Sequence, residues 1–227
     1  DTCMDDVVSD KAFRSNLHPA MKTWLEKRKI TEVPLETKHR VRAAYYGLVE
    51  YMDRCVGEVL ESVKNTLDMD NTIVVYASDH GECMGMNDMY WKTTFFEDSV
   101  KVPLMISYPK HFGLGVSVSD PISLLDLGAT FNEIAGAQQL PNTYGKSLLR
   151  YCTQGFDEAL ANRSIISEIG SYPPAKDKPS AMIRRGAWKL IAYNGYEYPS
   201  LFNLDEDPKE IRDLGQHPDY ETLRSSL

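Results

Sequence analysis

Residues 72–109 read TIVVYASDHGECMGMNDMYWKTTFFEDSVKVPLMISYP, and the rest of the chain is arranged around them. The stretch opens with an apolar run rich in β-branched residues, 72–77, which predicts a buried strand. The run stops at Ser78-Asp79-His80-Gly81. In open α/β sheets the carboxyl ends of strands form the ligand crevice. A carboxylate beside an imidazole at such a place suits a divalent metal, and glycine lets the backbone turn sharply next to them. On the dipeptide alone, capping a helix or pairing with an arginine is an equal alternative. Lys92 follows twelve residues after His80, between Trp91 and a Thr-Thr-Phe-Phe-Glu run. For it the plain alternative is a surface lysine lying along Trp91. A second strand is predicted over 102–107.

The ordered series Ser-Asp-His-Gly-Glu, Tyr-Trp-Lys and Phe-Phe-Glu-Asp-Ser-Val-Lys-Val-Pro-Leu resembles the C-terminal half of the sulfatase family, within the alkaline phosphatase superfamily. It is nearest to the branch of choline sulfatases and phosphonate monoester hydrolases. The resemblance implies that Asp79 and His80 bind the active-site divalent metal. It also implies that Lys92 is catalytic and substrate-binding, contacting sulfate or phosphonate oxygens. Sulfatases often carry asparagine where His80 stands, so histidine favours this branch and a metal that accepts nitrogen, such as Mn2+. Ca2+, which prefers oxygen shells, stays the other candidate. Glu82 and Glu97 are expected to support the metal loop.

The bulk properties fit an ordinary globular protein. Of the 227 residues, 42% are hydrophobic and 26% charged, and the net charge is −8. That charge argues against a nucleic-acid binder and leaves an anionic substrate open, since local charge decides binding. No apolar run is long enough to span a membrane. No signal peptide is legible and the chain opens at Asp1, as expected of an excerpt or a processed product, so the compartment stays open. Cys3, Cys55, Cys83 and Cys152 form no C-x-x-C pair, which speaks against a structural zinc site. Cys55 reads as a small core residue and Cys83 as wall packing near the Asp-His pair rather than a ligand.

Residues 18–29 suit a short helix or a lid-like loop, with His18 a surface histidine. Apolar residues from Val41 to Val63 recur at three- and four-residue steps, predicting a helix over 35–64. Asp53 belongs to that helix and is ion-paired or solvated. A further helix begins near 120–127, capped by Asp120 or Ser123 and ended by Gly136. Gly145-Lys146-Ser147 lacks the earlier glycine of a phosphate-binding loop. From 155 onward, strands are expected over 164–169, 181–193 with a bend at Arg185-Gly186, and 201–204, with a turn at 205–208. The expected fold is therefore α/β, the later part of an alkaline-phosphatase-like sandwich with a mixed sheet between helices, over 1–154. A small antiparallel α+β subdomain follows over 155–227.

The nucleophile is missing. Sulfatases use a cysteine or serine in C-x-P-x-R, converted to formylglycine, and none of the four cysteines here has that sequence after it. Asp5-Asp6 does not follow a strand pattern, so the family's N-terminal aspartates are missing too. The resemblance thus implies a C-terminal portion of a sulfate-ester hydrolase, with formylglycine expected in the N-terminal half and the 227-residue chain inactive alone. The alternatives are a phosphonate monoester or phosphodiester hydrolase on the same scaffold, or a non-catalytic binding module. Exposed strand edges and apolar surface would lead to pairing with the missing half or self-association.

Overall fold

A computed structural model describes residues 14, 16–30, 33–113, 115–170 and 179–227. Cys3, Asp5 and Asp6 lie outside the described residues. The first helix, α1 (Pro19–Lys27), starts at a proline whose fixed φ suits the first helical position. Its face of Ala20, Met21, Trp24 and Leu25 is buried. This segment is a helix seated in the main core, and not a lid. The second helix, α2 (Leu35–Thr66), has Glu36 in its first turn and Lys64 in its last, each opposite in sign to the helix-end dipole it meets. Its apolar face is not covered: Val41, Leu48, Val49, Met52 and Val59 are exposed, Leu48 at 67%. Only Lys38 and Arg42 of this helix are buried. Cys55 is half-buried rather than a core residue, and Asp53 is exposed to solvent.

Strand β1 (Val74–Ala77) pairs antiparallel with β4 (Leu104–Ser107), Val74 opposite Ser107 and Ala77 opposite Leu104. With a single neighbouring strand among the described residues, β1 is half-exposed rather than buried. Between them lie the hairpin of β2 (Cys83–Met84) with β3 (Tyr90–Trp91) and a short helix, α3 (Glu97–Val100). Helix α4 (Leu125–Ile134) begins with a reciprocal cap: Leu125 N donates to Ser123 Oγ at 3.3 Å and Ser123 N to Asp126 Oδ2 at 2.8 Å. Asp120 plays no part in that cap and accepts instead from Tyr151 Oη at 2.7 Å. Lys146 N donates to Asp126 Oδ1 at 2.8 Å, so the Gly-Lys-Ser turn serves packing around α4. Two short helices, α5 (Leu149–Gln154) and α6 (Glu158–Ala161), lead into a four-stranded sheet.

That sheet is an antiparallel meander of β5 (Ile165–Ile169), β6 (Ser180–Arg185), β7 (Trp188–Ala192) and β8 (Ser200–Asn203). The β6–β7 turn contains Gly186 at φ 54°, as the Arg185-Gly186 bend predicts. After β8, Asp207 accepts from Ile211 N at 3.1 Å and Arg212 N at 2.7 Å, closing the Asp-Pro turn. Helix α7 (Glu221–Ser226) ends the chain. Every strand pairing among the described residues is antiparallel. The main core unites Trp24 of α1, Cys83 and Phe95 with Ile191 and Phe202 of the meander, so it joins residues on both sides of position 155.

Candidate active site

Strand β1 delivers the chain to Ser78-Asp79-His80-Gly81. Ser78 Oγ donates to the His80 carbonyl at 2.9 Å and His80 N donates to Asp79 Oδ1 at 3.0 Å, which folds the two side chains together. Gly81 is required for a different reason from the sharp turn read in the sequence. Its N–H donates to Ser99 O at 2.8 Å, and a Cβ there would lie 2.1 Å from the carbonyl oxygen of Asp98. No side chain fits that approach, so glycine is what lets the loop lie against α3.

Asp79 is largely open to solvent at 85%, while His80 is at 35%. His80 Nδ1 lies 2.8 Å from the Gly81 carbonyl. A carbonyl only accepts, so Nδ1 carries the ring proton and Nε2 presents its lone pair. Lys92 Nζ donates to that lone pair at 2.5 Å, and Asp79 Oδ2 lies 3.5 Å from the same nitrogen. The three residues singled out in the sequence are thus brought together. The turn bearing Lys92 is held in an unusual conformation: Trp91 has φ 64° and Thr93 φ 76°. For an aromatic and a β-branched residue these are real outliers, each costing roughly 1–3 kcal/mol. The three side chains line a cleft of about 1040 Å³, with Lys101, Asp120 and Arg184 among its other charged lining residues. Those last three carry no sequence signal as a group, because folding alone gathers them.

The donor set suits two adjacent ligands of a divalent cation: an unprotonated imidazole nitrogen and an exposed carboxylate oxygen from one loop. Among the described residues no third His, Cys, Asp or Glu converges on them. Cys83 is 1% exposed in the main core, 3.7 Å from Thr94 Oγ1, and burial pushes its thiol up to about 12. It packs the wall, as read.

Glu97 departs from its expected role. Its carboxylate accepts from Lys189 Nζ at 2.8 Å and Arg184 Nη1 at 3.1 Å, tying the cleft to the meander rather than supporting the Asp-His loop. Burial pushes it up, but Lys189 and Arg184 more than offset this and hold it below the ordinary range. Glu210 shares Lys189 at 2.7 Å, and burial takes its carboxyl up to about 7 despite that partner. Glu82 is half-buried. His18 is not a surface histidine: it is 4% exposed. Its Nδ1 accepts from Ala20 N at 3.1 Å, capping α1, and its Nε2 donates to Tyr198 O at 2.9 Å. The signal was present in the proline after it, which marks a helix start.

Residues 12–137 match the sulfatase family model. The chain belongs to the sulfatase family. A second model, for the C-terminal region of N-sulphoglucosamine sulphohydrolase, matches residues 85–227 of this sulfatase-family chain. It is 32% identical over 190 residues to choline-sulfatase of Rhizobium meliloti (strain 1021), covering 82% of this chain and 35% of that protein. It is 32% identical over 196 residues to arylsulfatase K of Danio rerio, covering 81% and 36%. The chain spans about a third of the length of these curated relatives. The crystal structure of a phosphonate monoester hydrolase of Agrobacterium radiobacter superposes with a TM-score of 0.77 at 28% identity, over 85% of this chain and 40% of that one. The α/β arrangement of helices and antiparallel sheets is the alkaline-phosphatase-like fold of the sulfatases.

Proposed function

We propose that this chain is the C-terminal portion of a metal-dependent hydrolase of sulfate esters. In this reading Asp79 and His80 hold a divalent cation, Ca2+ or Mn2+, and Lys92 neutralises a non-bridging sulfate oxygen. The reading rests on the convergence of Lys92, His80 and Asp79 at a cleft in a sulfatase-family chain; the single Nε2 lone pair that accepts from Lys92 Nζ at 2.5 Å would pass to the cation and release the ammonium to a sulfate oxygen. A sulfate ester resists attack because its anionic oxygens screen the sulfur. Positive charge on those oxygens and a strong nucleophile are what a site must supply. When bound, a divalent cation polarises an oxygen and lowers the pKa of a nucleophile attached to it. Lys92 provides a second, compact positive charge, and the Gly81 carbonyl keeps His80 in the tautomer whose Nε2 ligates.

The nucleophile, formylglycine in this reading, comes from the portion of the protein that precedes these residues in its relatives. The open face of α2 supports the same view. Leu48, Met52 and Val59 are each more than half exposed, a stripe that the remainder of the fold would cover. The chain by itself is then inactive and pairs with that remainder.

The test uses the full-length protein with an aryl sulfate and a phosphonate monoester as substrates. The expected result is sulfate turnover with bound metal by elemental analysis, and loss of that metal in Asp79→Asn/His80→Ala. Lys92→Ala should lower kcat/KM by about 10²–10³-fold. Full sulfate turnover in the double variant would falsify the reading. Turnover of the phosphonate with none of the sulfate would transfer the site to phosphonate chemistry on the same scaffold.

A further inference from the structure

The turn that carries Lys92 is strained on both sides, so something must hold it. Trp91 and Thr93 both have positive φ, and Trp91 is 52% exposed, so its own burial does not fix it. The contact comes from the far end of α1. Arg28 is the C-cap residue of that helix, its N–H bonded to Trp24 O at 3.2 Å. The helix stops there in a Schellman arrangement, with Lys29 N donating to Glu26 O and Ile30 N to Leu25 O, each at 3.0 Å, and Lys29 at φ 55°. That closure fixes the direction in which Arg28 leaves the backbone. Its guanidinium lies 4.6 Å from the ring centre of Trp24 and 5.6 Å from that of Trp91. Its Nη2 donates to Thr93 Oγ1 at 3.2 Å. Trp24 is 3% exposed, so one side of this stack is anchored in the main core.

We propose that Arg28 is a positioning residue for Lys92. It grips the residues immediately before and after Lys92, one by its ring and one by its hydroxyl, and so maintains the turn from which Lys92 Nζ reaches His80. The guanidinium suits this task because it is flat enough to lie against two indoles and still has an N–H fork for the threonine. An ammonium at the same place makes a point contact and cannot do both. Helix α1, which lends no residue to the lining of the cleft, thereby bears on the site through the side chain of its C-cap residue. The catalytic consequence rests on the function proposed above; the structural grip does not.

The experiment compares Arg28→Ala and Arg28→Lys with Arg54→Ala, an exposed arginine stacked on Tyr51 of α2, in the full-length protein. Amide hydrogen exchange over residues 90–94 should speed up at least tenfold in Arg28→Ala and in Arg28→Lys, with α1 amides and the unfolding midpoint unchanged. In the same samples kcat/KM for an aryl sulfate should fall at least tenfold, while Arg54→Ala matches wild type in both. Unchanged exchange over 90–94 overturns the proposal, as does a loosening shared equally by α1. Full function of Arg28→Lys overturns the role given to the planar stack. A wild-type protein that turns over no sulfate ester defeats the proposed function, and the exchange data still decide the grip.

Discussion

Lys189→Met tests the electrostatic tie behind the cleft. Lys189 is 0% exposed on β7 and its ammonium is shared by Glu97 Oε1 at 2.8 Å and Glu210 Oε1 at 2.7 Å. Methionine nearly matches the lysine stem in volume and removes the charge. Glu97 would keep Arg184 at 3.1 Å, but Glu210, 3% exposed, would keep only the Glu97 backbone N–H at 2.6 Å. Removing one partner of a buried ion pair costs about 3–5 kcal/mol, because the other charge is left uncompensated. The penalty depends on pH in a definite direction. Burial raises the Glu210 carboxyl from 4.5 to about 7, so its protonated form contributes stability below pH 4.5 that is lost as pH rises through about 7. Without Lys189 that preference for the neutral acid strengthens. The variant should therefore lose most at pH 8, where Glu210 must either bury an unpaired charge or take up a proton against the solution pH, and clearly less at pH 5. Urea unfolding of wild type and variant at both pH values measures this, with a midpoint shift of about 1–2 M expected at pH 8. Adding Glu210→Gln should recover a substantial part of the loss at pH 8. A loss below about 1 kcal/mol, or one equal at both pH values, would show that the triad is not a buried ion cluster of this kind.

Two further predictions concern the anchoring of α1 and of the Asp-His loop. Burial holds the His18 imidazole below its ordinary value, with partial recovery from the Tyr198 carbonyl and Asp213. Its contribution is present above pH 6.5 and is lost as pH falls through the depressed value, since a proton on Nδ1 would face the Ala20 N–H it caps. His18→Asn, which keeps a capping oxygen and does not titrate, should flatten the stability-versus-pH curve on the acid side; an unaltered acid slope counts against the cap. Gly81→Ala pushes a methyl against the Asp98 carbonyl, at 2.1 Å before relaxation, and should destabilise by about 1–3 kcal/mol in thermal unfolding. A melting temperature equal to wild type would show that the loop and α3 separate freely.

Much of the fold is legible locally. The helix predicted over 35–64 runs Leu35–Thr66, and the bend at Arg185-Gly186 joins β6 and β7. Ser123 sits at the start of α4, as its side-chain chemistry anticipates. These features depend on near neighbours, whose identities the sequence displays directly. What covers a face is another matter. The three- and four-residue period of α2 tells which side is apolar, and says nothing of the element that would bury it, so Leu48 and Met52 stay exposed against expectation. The same holds for β1, whose apolar run reads as buried while its one described neighbour leaves it half-open.

The site divides along the same line. The juxtaposition of Asp79, His80 and Lys92 is legible because a loop and a hairpin bring together residues only twelve or thirteen apart. The role of Glu97 is not legible because its partner Lys189 lies 92 residues away, and no spacing rule connects a helix start to the middle of a distant strand. His18 reads as a surface residue until the Tyr198 carbonyl, 180 residues on, accepts a hydrogen bond from its Nε2. Arg28 and Thr93, 65 residues apart, carry no shared motif at all. The groups proposed to carry the chemistry are thus written locally, and the groups that hold them in place are distributed through the tertiary structure. A positioning device is defined by the strain it opposes, and the positive φ that strains an aromatic Trp91 and a β-branched Thr93 is set by the tertiary structure rather than displayed in the sequence. It follows that a different side chain restraining the same turn would serve in place of Arg28 with Asp79, His80 and Lys92 unchanged.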